Sequence, residues 1–353
     1  MPADRKPRIA LLAAPEASAS VLFGLYDVLG SVGLIWPDMT AAEPGEAALD
    51  VFIVAATGEP FRCSGGVLVE PRAGVDDVAS VDVVIVGDIY TPSDLPLAGH
   101  FATEIAWLRR MHDGGAVLAS VCTGSLLLAA TGLLDGRSCA GHWSYLDRFR
   151  VDHPRVRFDP ALILDLANEG EGLITTGGGT SWHDLALHLI ARYCGLRPAT
   201  ETAKIHLLAG HEDGQLPFSS MTRRGPVGDA TINDAVAWIV EHHAGPNPVS
   251  RMIERSGLTP RTFSRRFLAA TRYRPIDYVQ AIRIERAREL LECGDDPVDD
   301  VGFTVGYQDP TFFRRLFKRT TGLTPAAYRR KYAPITQIRA PWSDRNGVAG
   351  TRA

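Results

Sequence analysis

What this sequence lacks already excludes several classes of protein. No apolar run approaches the ~20 residues that a membrane-spanning helix needs, and the longest, residues 117–130, is interrupted by Ser120, Thr123 and Gly124. The five cysteines form no Cys-x-x-Cys pair, which gives no zinc signature and fits a reducing compartment. The first residues contain no long apolar stretch followed by a cleavage site. We therefore expect a cytoplasmic protein with no metal, no cofactor and no membrane partner.

Length and charge divide the chain into two parts. Its 353 residues predict two domains at roughly 150 residues each, and 45% hydrophobic with 22% charged residues is typical of a folded chain. Residues 1–228 hold 17 basic and 27 acidic side chains, whereas residues 229–340 hold 18 basic and 13 acidic ones. The basic part is where a polyanion would bind, and the acidic part would repel one.

The N-terminal part alternates between strand and helix patterns. Short apolar runs that are typical of buried strands occupy residues 8–14, 51–56, 83–86, 117–121 and 173–176. Helical spacing of apolar residues appears at 20–30, 101–112 and 184–194. The alternation predicts an α/β fold, with a mainly parallel sheet flanked by helices. The C-terminal part shows no strand pattern and is predicted to be all-α.

An internal repeat lies in this helical part. Five of its residues recur 50 positions later: Phe263, Phe267, Thr271, Pro275 and Tyr278. A short helical pattern and a glycine, Gly257 or Gly306, precede each copy. A helix, a tight turn with glycine and a second helix form a helix-turn-helix unit. The sequence therefore predicts two such units.

The second helix of each unit has a defined start and one basic face. Thr259 and Asp309 are predicted N-caps, because a proline at the first helical position follows each of them. Phenylalanines four residues apart must face the core, which leaves the arginines outside. The planar fork of arginine suits phosphate oxygens and the guanine edge. A solvated basic face is the alternative for one such helix, but the repetition favours DNA binding.

Residues 232–332 resemble the AraC/XylS-type DNA-binding domain. The residues that carry the match in the second unit are Gly306, Tyr307, Phe313, Phe317, Lys318, Gly322, Pro325, Tyr328 and Arg329. Residues 281–291 resemble the central helix of that family. The resemblance implies two recognition helices that enter successive major grooves of double-stranded DNA about 10 bp apart. It also implies RNA polymerase as a partner.

The family pattern assigns roles to individual residues. Base readers are expected at Arg261, Ser264, Arg265, Thr311, Arg314 and Arg315; phosphate contacts at Arg266, Lys318 and Arg319; and a further DNA contact at Thr262. Two positions depart from the pattern. Arg272 stands where a glycine is expected, and Ile253 replaces the small residue that the second unit keeps as Gly302. If Arg272 is left-handed, it costs about 1 kcal/mol there.

A cysteine lies at a predicted strand-to-helix turn in the N-terminal part. The helix dipole after Cys122 is expected to favour its thiolate. The runs 120–136, 141–143 and 175–179 resemble the PfpI/ThiJ superfamily, which has the fold of class I glutamine amidotransferases. Together the two parts resemble the GlxA-type branch of AraC regulators. In that branch the amidotransferase-like domain senses a ligand.

Two functions remain open for this turn. His142 could serve Cys122 as a base, which would make the chain a Cys-nucleophile hydrolase or hydratase tethered to DNA. Enzymes of the superfamily carry His directly after the cysteine, or a carboxylate shortly after the first strand. Here Thr123 follows, and the acid after the first strand is Glu16. We therefore predict a non-catalytic pocket that includes Cys122, Thr123, His142, Glu16 and Gly178. An inert buried cysteine and a redox sensor are further alternatives.

These observations predict a domain layout. Residues 1–222 form a ligand-sensing domain, 223–229 a linker with two glycines and a proline, 230–333 the DNA-binding domain and 334–353 a flexible tail. The resemblance implies a homodimer through the first domain and an activator of transcription. Regulators of this kind often respond to small amine or amino-acid metabolites, so an effector of that class is expected.

Overall fold

The computed structural model describes residues 5–40, 45–92, 95–220 and 228–337, the side chains of the last helix as far as residue 332. The chain forms two compact units, residues 1–215 and 216–353. The division falls earlier than the domain boundary predicted at residue 222, because residues 216–219 contact helices of the second unit. Residues 223–227 of the predicted linker lie outside the described residues.

The first unit is an α/β domain. Its strands are β1 (Arg8–Leu12), β2 (Asp50–Ala55), β3 (Phe61–Arg62), β4 (Leu68–Val69), β5 (Ala73–Gly74), β6 (Val83–Val86), β7 (Val117–Val121), β8 (Ser138–Cys139), β9 (Arg157–Phe158), β10 (Leu164–Asp165) and β11 (Leu173–Thr176). Its helices are α1 (Ala19–Gly30), α2 (Ile35–Met39), α3 (Leu97–His100), α4 (Ala102–Asp113), α5 (Gly124–Ala130), α6 (Leu146–Asp152), α7 (Trp182–Cys194) and α8 (Leu196–His206).

Seven of the strands form one sheet in the order β10-β11-β7-β6-β1-β2-β5. All neighbouring strands are parallel except β10, which runs antiparallel to β11. The central strand β6 reads Val-Val-Ile-Val and is completely buried, as expected for a strand covered on both faces. The predicted mainly parallel α/β sheet is confirmed.

Alternate residues of β1 supply the two cores of the first unit, because successive strand side chains point to opposite faces. Ile9 and Leu11 pack in one cluster with apolar residues of α1 and α7. Ala10 and Leu12 pack in the other with apolar residues of α4 and α5. The sheet is therefore buried on both faces, and its polar groups are concentrated at the strand ends.

The second unit is helical. Its helices are α9 (Ala230–His242), α10 (Pro248–Ser256), α11 (Pro260–Thr271), α12 (Pro275–Cys293), α13 (Val298–Thr304), α14 (Pro310–Thr321) and α15 (Pro325–Gln337). The pairs α10–α11 and α13–α14 are the two predicted helix-turn-helix units. Helix α12 contributes Ile282 to the core of the first helix-turn-helix unit and Ile284 to the core of the second. One continuous helix thereby links the two helix-turn-helix units.

Helix α15 ends at Gln337, four residues into the segment predicted to be a tail. The rest of that segment, residues 338–353, lies outside the described residues. Among the described helices, none is both long and apolar enough to cross a lipid bilayer.

Candidate DNA interface and candidate ligand pocket

Both candidate recognition helices begin where the sequence predicts. The Thr259 hydroxyl accepts a hydrogen bond from the Thr262 amide at 3.3 Å, and Pro260 opens α11. The Asp309 carboxylate accepts from the Thr311 amide at 2.8 Å at the start of α14. Each cap satisfies an amide that would otherwise lack a partner in the first turn. The predicted helix starts are confirmed.

Buried aromatic pairs fix the rotation of each recognition helix. The side chains of Phe263, Phe267, Phe313 and Phe317 are all fully buried. Phe267 meets Tyr278, and Phe317 meets Tyr328, edge to face with ring centroids 5.4 Å apart in both cases. Because one face of each helix is held in the core in this way, the opposite face must point to solvent.

The predicted base readers lie on these solvent faces. Exposed positions in the two helices are Arg261, Ser264, Arg265, Thr311, Arg314, Arg315, Lys318 and Arg319. Thr262 is half-buried, with its hydroxyl 3.0 Å from that of Thr259. Within the described part of the chain, Arg261 and Arg265 form no ion pair. Their guanidinium groups are free for an anionic partner, and their role as base readers stays a prediction.

Three other arginines of these helices already have partners. Arg266 binds Asp229 through two contacts, Nε to Oδ2 at 2.8 Å and Nη2 to Oδ1 at 2.6 Å. These hydrogen bonds lower the pKa of the Asp229 carboxyl. Arg314 Nη2 lies 2.7 Å from Asp299 Oδ1, and the Arg315 guanidinium lies 5.8 Å from the centre of the Phe312 ring. Sequence reasoning missed both carboxylates, because each lies on a different helix or cap from its arginine.

The departures from the family pattern have visible structural effects. Arg272 has φ +65°, and its counterpart Gly322 has φ +79°, so Arg272 does adopt the left-handed conformation under which the cost was expected, and the cost itself stays a prediction. Gly302 packs directly under a phenylalanine, since a Cβ there would lie 2.8 Å from Phe313 Cδ1. Ile253 takes the place of Gly302 in the first helix-turn-helix unit and is half-buried within the core of that unit.

Cys122 occupies a strained turn between β7 and α5. Its φ is +57°, and its amide donates to the carbonyl oxygens of Thr176 and Gly177 at 3.2 and 2.9 Å. The turn needs Gly124, because a Cβ there would lie 2.4 Å from the carbonyl oxygens of both Val86 and Gly87. The predicted strand-to-helix elbow is therefore present at the carboxyl edge of the sheet.

The acid beside the elbow is Asp88, which sequence reasoning did not identify. The Thr123 hydroxyl accepts from the Ile89 amide at 2.8 Å and lies 2.6 Å from Asp88 Oδ1. Burial, and then the charge and hydrogen bond of Asp88, raise the pKa of the Cys122 thiol well above its ordinary value. The prediction that the helix dipole favours the thiolate is wrong. Desolvation and a neighbouring carboxylate outweigh the dipole of a short helix.

His142 faces the same edge but is engaged elsewhere. Its Nδ1 lies 2.7 Å from Ser144 Oγ and accepts from the Ser144 amide at 3.2 Å. Burial lowers the pKa of the imidazole, opposed by the charge of Asp88. The ring packs on Gly178, where a Cβ would lie 2.0 Å from His142 Cδ2. His142 and Gly178 therefore form one contact of the candidate pocket.

Glu16 has a different partner from the one a catalytic carboxylate would need. Its Oε1 lies 2.7 Å from His100 Nε2, and its Oε2 is buried without a hydrogen bond. The sequence did contain a signal for Asp88, which follows the buried run 83–86. Because β6 and β7 are parallel neighbours, residues after both strands meet at one edge, where α/β folds commonly bind ligands.

Comparison with known proteins agrees with this two-part architecture. Residues 8–191 match the family model described as DJ-1/PfpI family, and residues 252–331 match the one described as helix-turn-helix domain. The chain is 27% identical over 319 residues to the HTH-type transcriptional regulator CdhR of Pseudomonas aeruginosa, which covers 90% of this chain and 91% of that protein. It is 27% identical over 231 residues to the regulator GlxA of Rhizobium meliloti, covering 64% and 68%.

Solved structures give similar matches. DJ-1beta of Drosophila melanogaster is 22% identical, covers 58% of this chain and 100% of its own, and has a TM-score of 0.48. The DNA-binding domain of AdpA, solved with a target DNA, is 33% identical over 31% of this chain and 98% of its own, with a TM-score of 0.30.

Proposed function

Because the chain belongs to the DJ-1/PfpI family and carries an AraC-type helix-turn-helix domain, we propose that it regulates transcription by binding a specific DNA sequence. The observation that carries this proposal is the pair of helices α11 and α14. Each has a capped start, a buried phenylalanine face and an exposed basic face. CdhR, which matches 90% of this chain, and GlxA are both named transcriptional regulators.

The proposal assigns base reading mainly to the unpaired arginines. Arg261 and Arg265 lie one helical turn apart on the exposed face of α11, which is the spacing that reaches neighbouring base edges in a major groove. On α14 the counterparts are Arg314 and Arg315, both exposed, although Arg314 is paired with Asp299. Lys318 and Arg319, in the last turn of α14, are assigned to phosphate contacts. Two helices of this kind support recognition of two half-sites on one face of the duplex.

We further propose that a small molecule binds at the carboxyl edge of the sheet and controls DNA binding. Asp88 gives this edge a carboxylate, and the rings of His142 and Tyr145 lie in edge contact beside it. A carboxylate with aromatic neighbours suits a cation, which supports the expected amine or amino-acid effector. The same proposal includes two partners. The chain pairs with a second copy through the α/β unit, and it contacts RNA polymerase.

The competing enzyme function has one feature in its favour, the strained backbone of Cys122. Nucleophiles of hydrolases occupy turns of this kind. Two observations oppose turnover. Burial and the neighbouring Asp88 raise the pKa of the thiol, which disfavours the thiolate, and His142 directs Nδ1 to Ser144. A regulator with an inert cysteine in its pocket therefore fits the chemistry better than a cysteine hydrolase.

DNA recognition is tested by selecting binding sites from random duplexes with the full chain. Arg265→Ala is expected to weaken binding to the selected duplex by ~1–3 kcal/mol and to relax the preference at one base pair. Arg319→Ala serves as the matched control, since loss of a phosphate contact weakens selected and random duplexes alike. Equal losses on both kinds of DNA for Arg265→Ala would exclude it as a base reader.

Ligand control is tested with a library of small amines and amino acids in a thermal shift assay. A binder raises the melting temperature by mass action, and Asp88→Asn should abolish that rise if the carboxylate binds the ligand. Cys122→Ala discriminates the two functions. A regulator keeps its ligand-dependent DNA binding in this variant, whereas an enzyme loses all turnover. Rapid turnover together with failure to select any duplex would contradict the regulator.

A further inference from the structure

A cleft of about 810 Å³ lies on the α/β unit, away from the candidate pocket at Cys122. Its walls come from α3, from the ends of α4, α5 and α6, and from the turns that follow α5 and α6. Cys122 precedes α5, whereas Ala129 and Ala130 end it, so the length of this helix separates the two places by roughly 10 Å. The volume is typical of pockets that hold small organic molecules.

One wall of the cleft is apolar and continuous with the core. Leu97 and Ala129 are buried in the cluster between the sheet and helices α4 and α5, and Leu95 and Ala130 pack against that cluster. Pro154 borders the cleft from the turn after α6. An apolar molecule that covers this wall would remove its surface from water, which favours binding in proportion to the area covered.

Arg148 holds the apolar wall in place. Its guanidinium donates to the carbonyl oxygens of Thr91, Pro92 and Leu95 at 3.1, 2.8 and 2.9 Å. Its Nε donates to Asp152 Oδ2 at 3.1 Å, and the side chain is 9% exposed. Leu95 and α6 are therefore fixed against each other before a ligand arrives, so binding orders little of the cleft and its entropic cost is small.

Arg109 supplies a cation with unused donors. Its Nε donates to the Thr131 carbonyl oxygen at 2.8 Å, which orients the guanidinium beside the end of α5. In the part of the chain that the structure describes, its two Nη groups have no hydrogen-bond or ion-pair partner. Two Nη groups on one planar guanidinium match the two oxygens of a carboxylate.

The other charges of the cleft cancel, so Arg109 decides its sign. Asp135 Oδ2 lies 2.5 Å from Arg155 Nη2, and Asp152 is paired with Arg148. Burial lowers the pKa of the His153 imidazole, which favours its neutral form. Among the described lining residues, one positive charge is therefore left without a counter-ion, and an anion is the complementary ligand.

His153 offers a second polar contact. Its Nε2 is buried and has no hydrogen-bond partner among the described residues, and its ring lies 5.9 Å from the ring of Phe149. Buried polar atoms of folded proteins are normally hydrogen-bonded. An unpaired ring nitrogen beside a cleft therefore points to a ligand group that completes the bond.

We propose that this cleft binds a small organic anion with an apolar body, of which a medium-chain carboxylic acid is the simplest member. The carboxylate pairs with the Nη groups of Arg109, the chain covers the apolar wall, and His153 Nε2 lies beside them as a hydrogen-bond partner. The preference is opposite in sign to that of the pocket at Cys122, where Asp88 suits a cation. The α/β unit thus carries two sites for ligands of opposite charge.

Octanoate is the probe, titrated into the full chain by calorimetry, and 1-octanol is the neutral control of equal chain length. We expect octanoate to bind and to raise the melting temperature. The alcohol should bind at least about tenfold more weakly, because it leaves the Arg109 guanidinium without an ionic partner. Absence of octanoate binding, or equal affinity for the acid and the alcohol, would overturn the proposal.

Arg109→Gln locates the bound carboxylate. It should weaken octanoate binding about tenfold and leave 1-octanol binding unchanged. The matched control is Arg110→Gln, since Arg110 is the next residue of α4, is paired with Asp76 at 2.9 Å and does not line the cleft. Should Arg109→Gln not fold, Arg109→Lys replaces it. The lysine keeps the charge without the planar fork and should weaken octanoate about threefold.

Two results of this comparison would contradict the site. Octanoate affinity that ignores Arg109→Gln would mean that the acid binds elsewhere on the chain. Equal losses in Arg109→Gln and Arg110→Gln would reduce the effect to the net charge of the protein. These measurements involve neither DNA nor an amine effector, so their failure leaves the proposed function untouched.

Discussion

In the first helix-turn-helix unit the free arginines are Arg261 and Arg265, and Arg266 is paired with Asp229, the N-cap of α9. In the second helix-turn-helix unit, Arg314 forms an ion pair with Asp299 on the neighbouring helix α13. The two units bury the same aromatic residues at equivalent positions, Phe263, Phe267 and Tyr278 in one and Phe313, Phe317 and Tyr328 in the other. The same arrangement of helices and buried aromatic residues therefore presents two different basic surfaces. We do not expect the two helix-turn-helix units to read the same bases.

The turn after each recognition helix has the same backbone conformation in the two units but a different residue. Thr271 and Thr321 each accept the amide two residues later, at 3.2 and 3.3 Å, so both recognition helices end in the same capped turn. The residue between is left-handed in both, arginine in one and glycine in the other. The conformation of the turn is therefore set by the capping threonine and the following proline helix, and not by the presence of glycine.

The largest expected effect tests whether the cores of the two helix-turn-helix units are equally stable. Phe267→Ala and Phe317→Ala each remove a fully buried ring and are expected to destabilise their own unit by about 3–5 kcal/mol. Hydrogen exchange of α11 and α14 amides measures each unit separately within the full chain. Exposed Phe303 is the control, since Phe303→Ala should change little. Unequal losses for the two buried rings would show that one core is looser than the other.

The next effect tests the small residue that distinguishes the cores. Gly302→Ala places a methyl group 2.8 Å from the buried Phe313 ring, and such overpacking costs about 1–3 kcal/mol. This outweighs the ~0.5–1 kcal/mol that alanine gains over glycine in a helix. The measurement is the exchange rate of α14 amides. Gly30→Ala, where a Cβ meets nothing within 4 Å, is the control and should not destabilise. A Gly302→Ala chain as stable as wild type would contradict the packing argument.

Sequence patterns predicted the elements well because each depends on near neighbours. Buried runs predicted the five longer strands of the central sheet, and the cap-proline pairs Thr259–Pro260 and Asp309–Pro310 predicted both recognition helix starts. All of the two-residue strands were missed, β3 to β5 and β8 to β10, because such short pairings are set by tertiary contacts. The helix α8 was also missed, since it starts after a glycine with φ +97° rather than at a usual cap.

The candidate sites were predicted less completely, since they depend on residues far apart in sequence. Cys122, Thr123, His142 and Gly178 do lie at one edge, but the acid there is Asp88 and not Glu16. Asp88 lies beside Cys122 because β6 and β7 are neighbouring strands, and the order of strands in a sheet cannot be predicted from local sequence patterns. The pKa of Cys122 was predicted in the wrong direction for a similar reason, because its burial and its neighbour Asp88 come from tertiary structure.

A smaller effect tests how the units use their arginines. Asp229→Asn keeps the cap of α9, because asparagine caps a helix as well as aspartate does, but it removes the charge that holds Arg266. The free guanidinium should strengthen DNA binding modestly and steepen the slope of log affinity against log salt by about 0.9 per added phosphate contact. Asp299→Asn does the same for Arg314. Salt titrations that show an unchanged slope for both variants would exclude these arginines as phosphate contacts.

The smallest effect concerns the left-handed turn. Gly322→Arg gives the second unit the residue of the first and is expected to destabilise it by about 1 kcal/mol, because a side chain at positive φ is strained. Arg272→Gly should stabilise the first unit by less, about 0.5 kcal/mol, since glycine also gains entropy in the unfolded chain. Both changes are measured as shifts of the denaturant midpoint, provided that the dependence of the unfolding free energy on denaturant concentration is unchanged. Effects of the same sign would mean that contacts of the Arg272 side chain, and not its backbone, determine the stability of the turn.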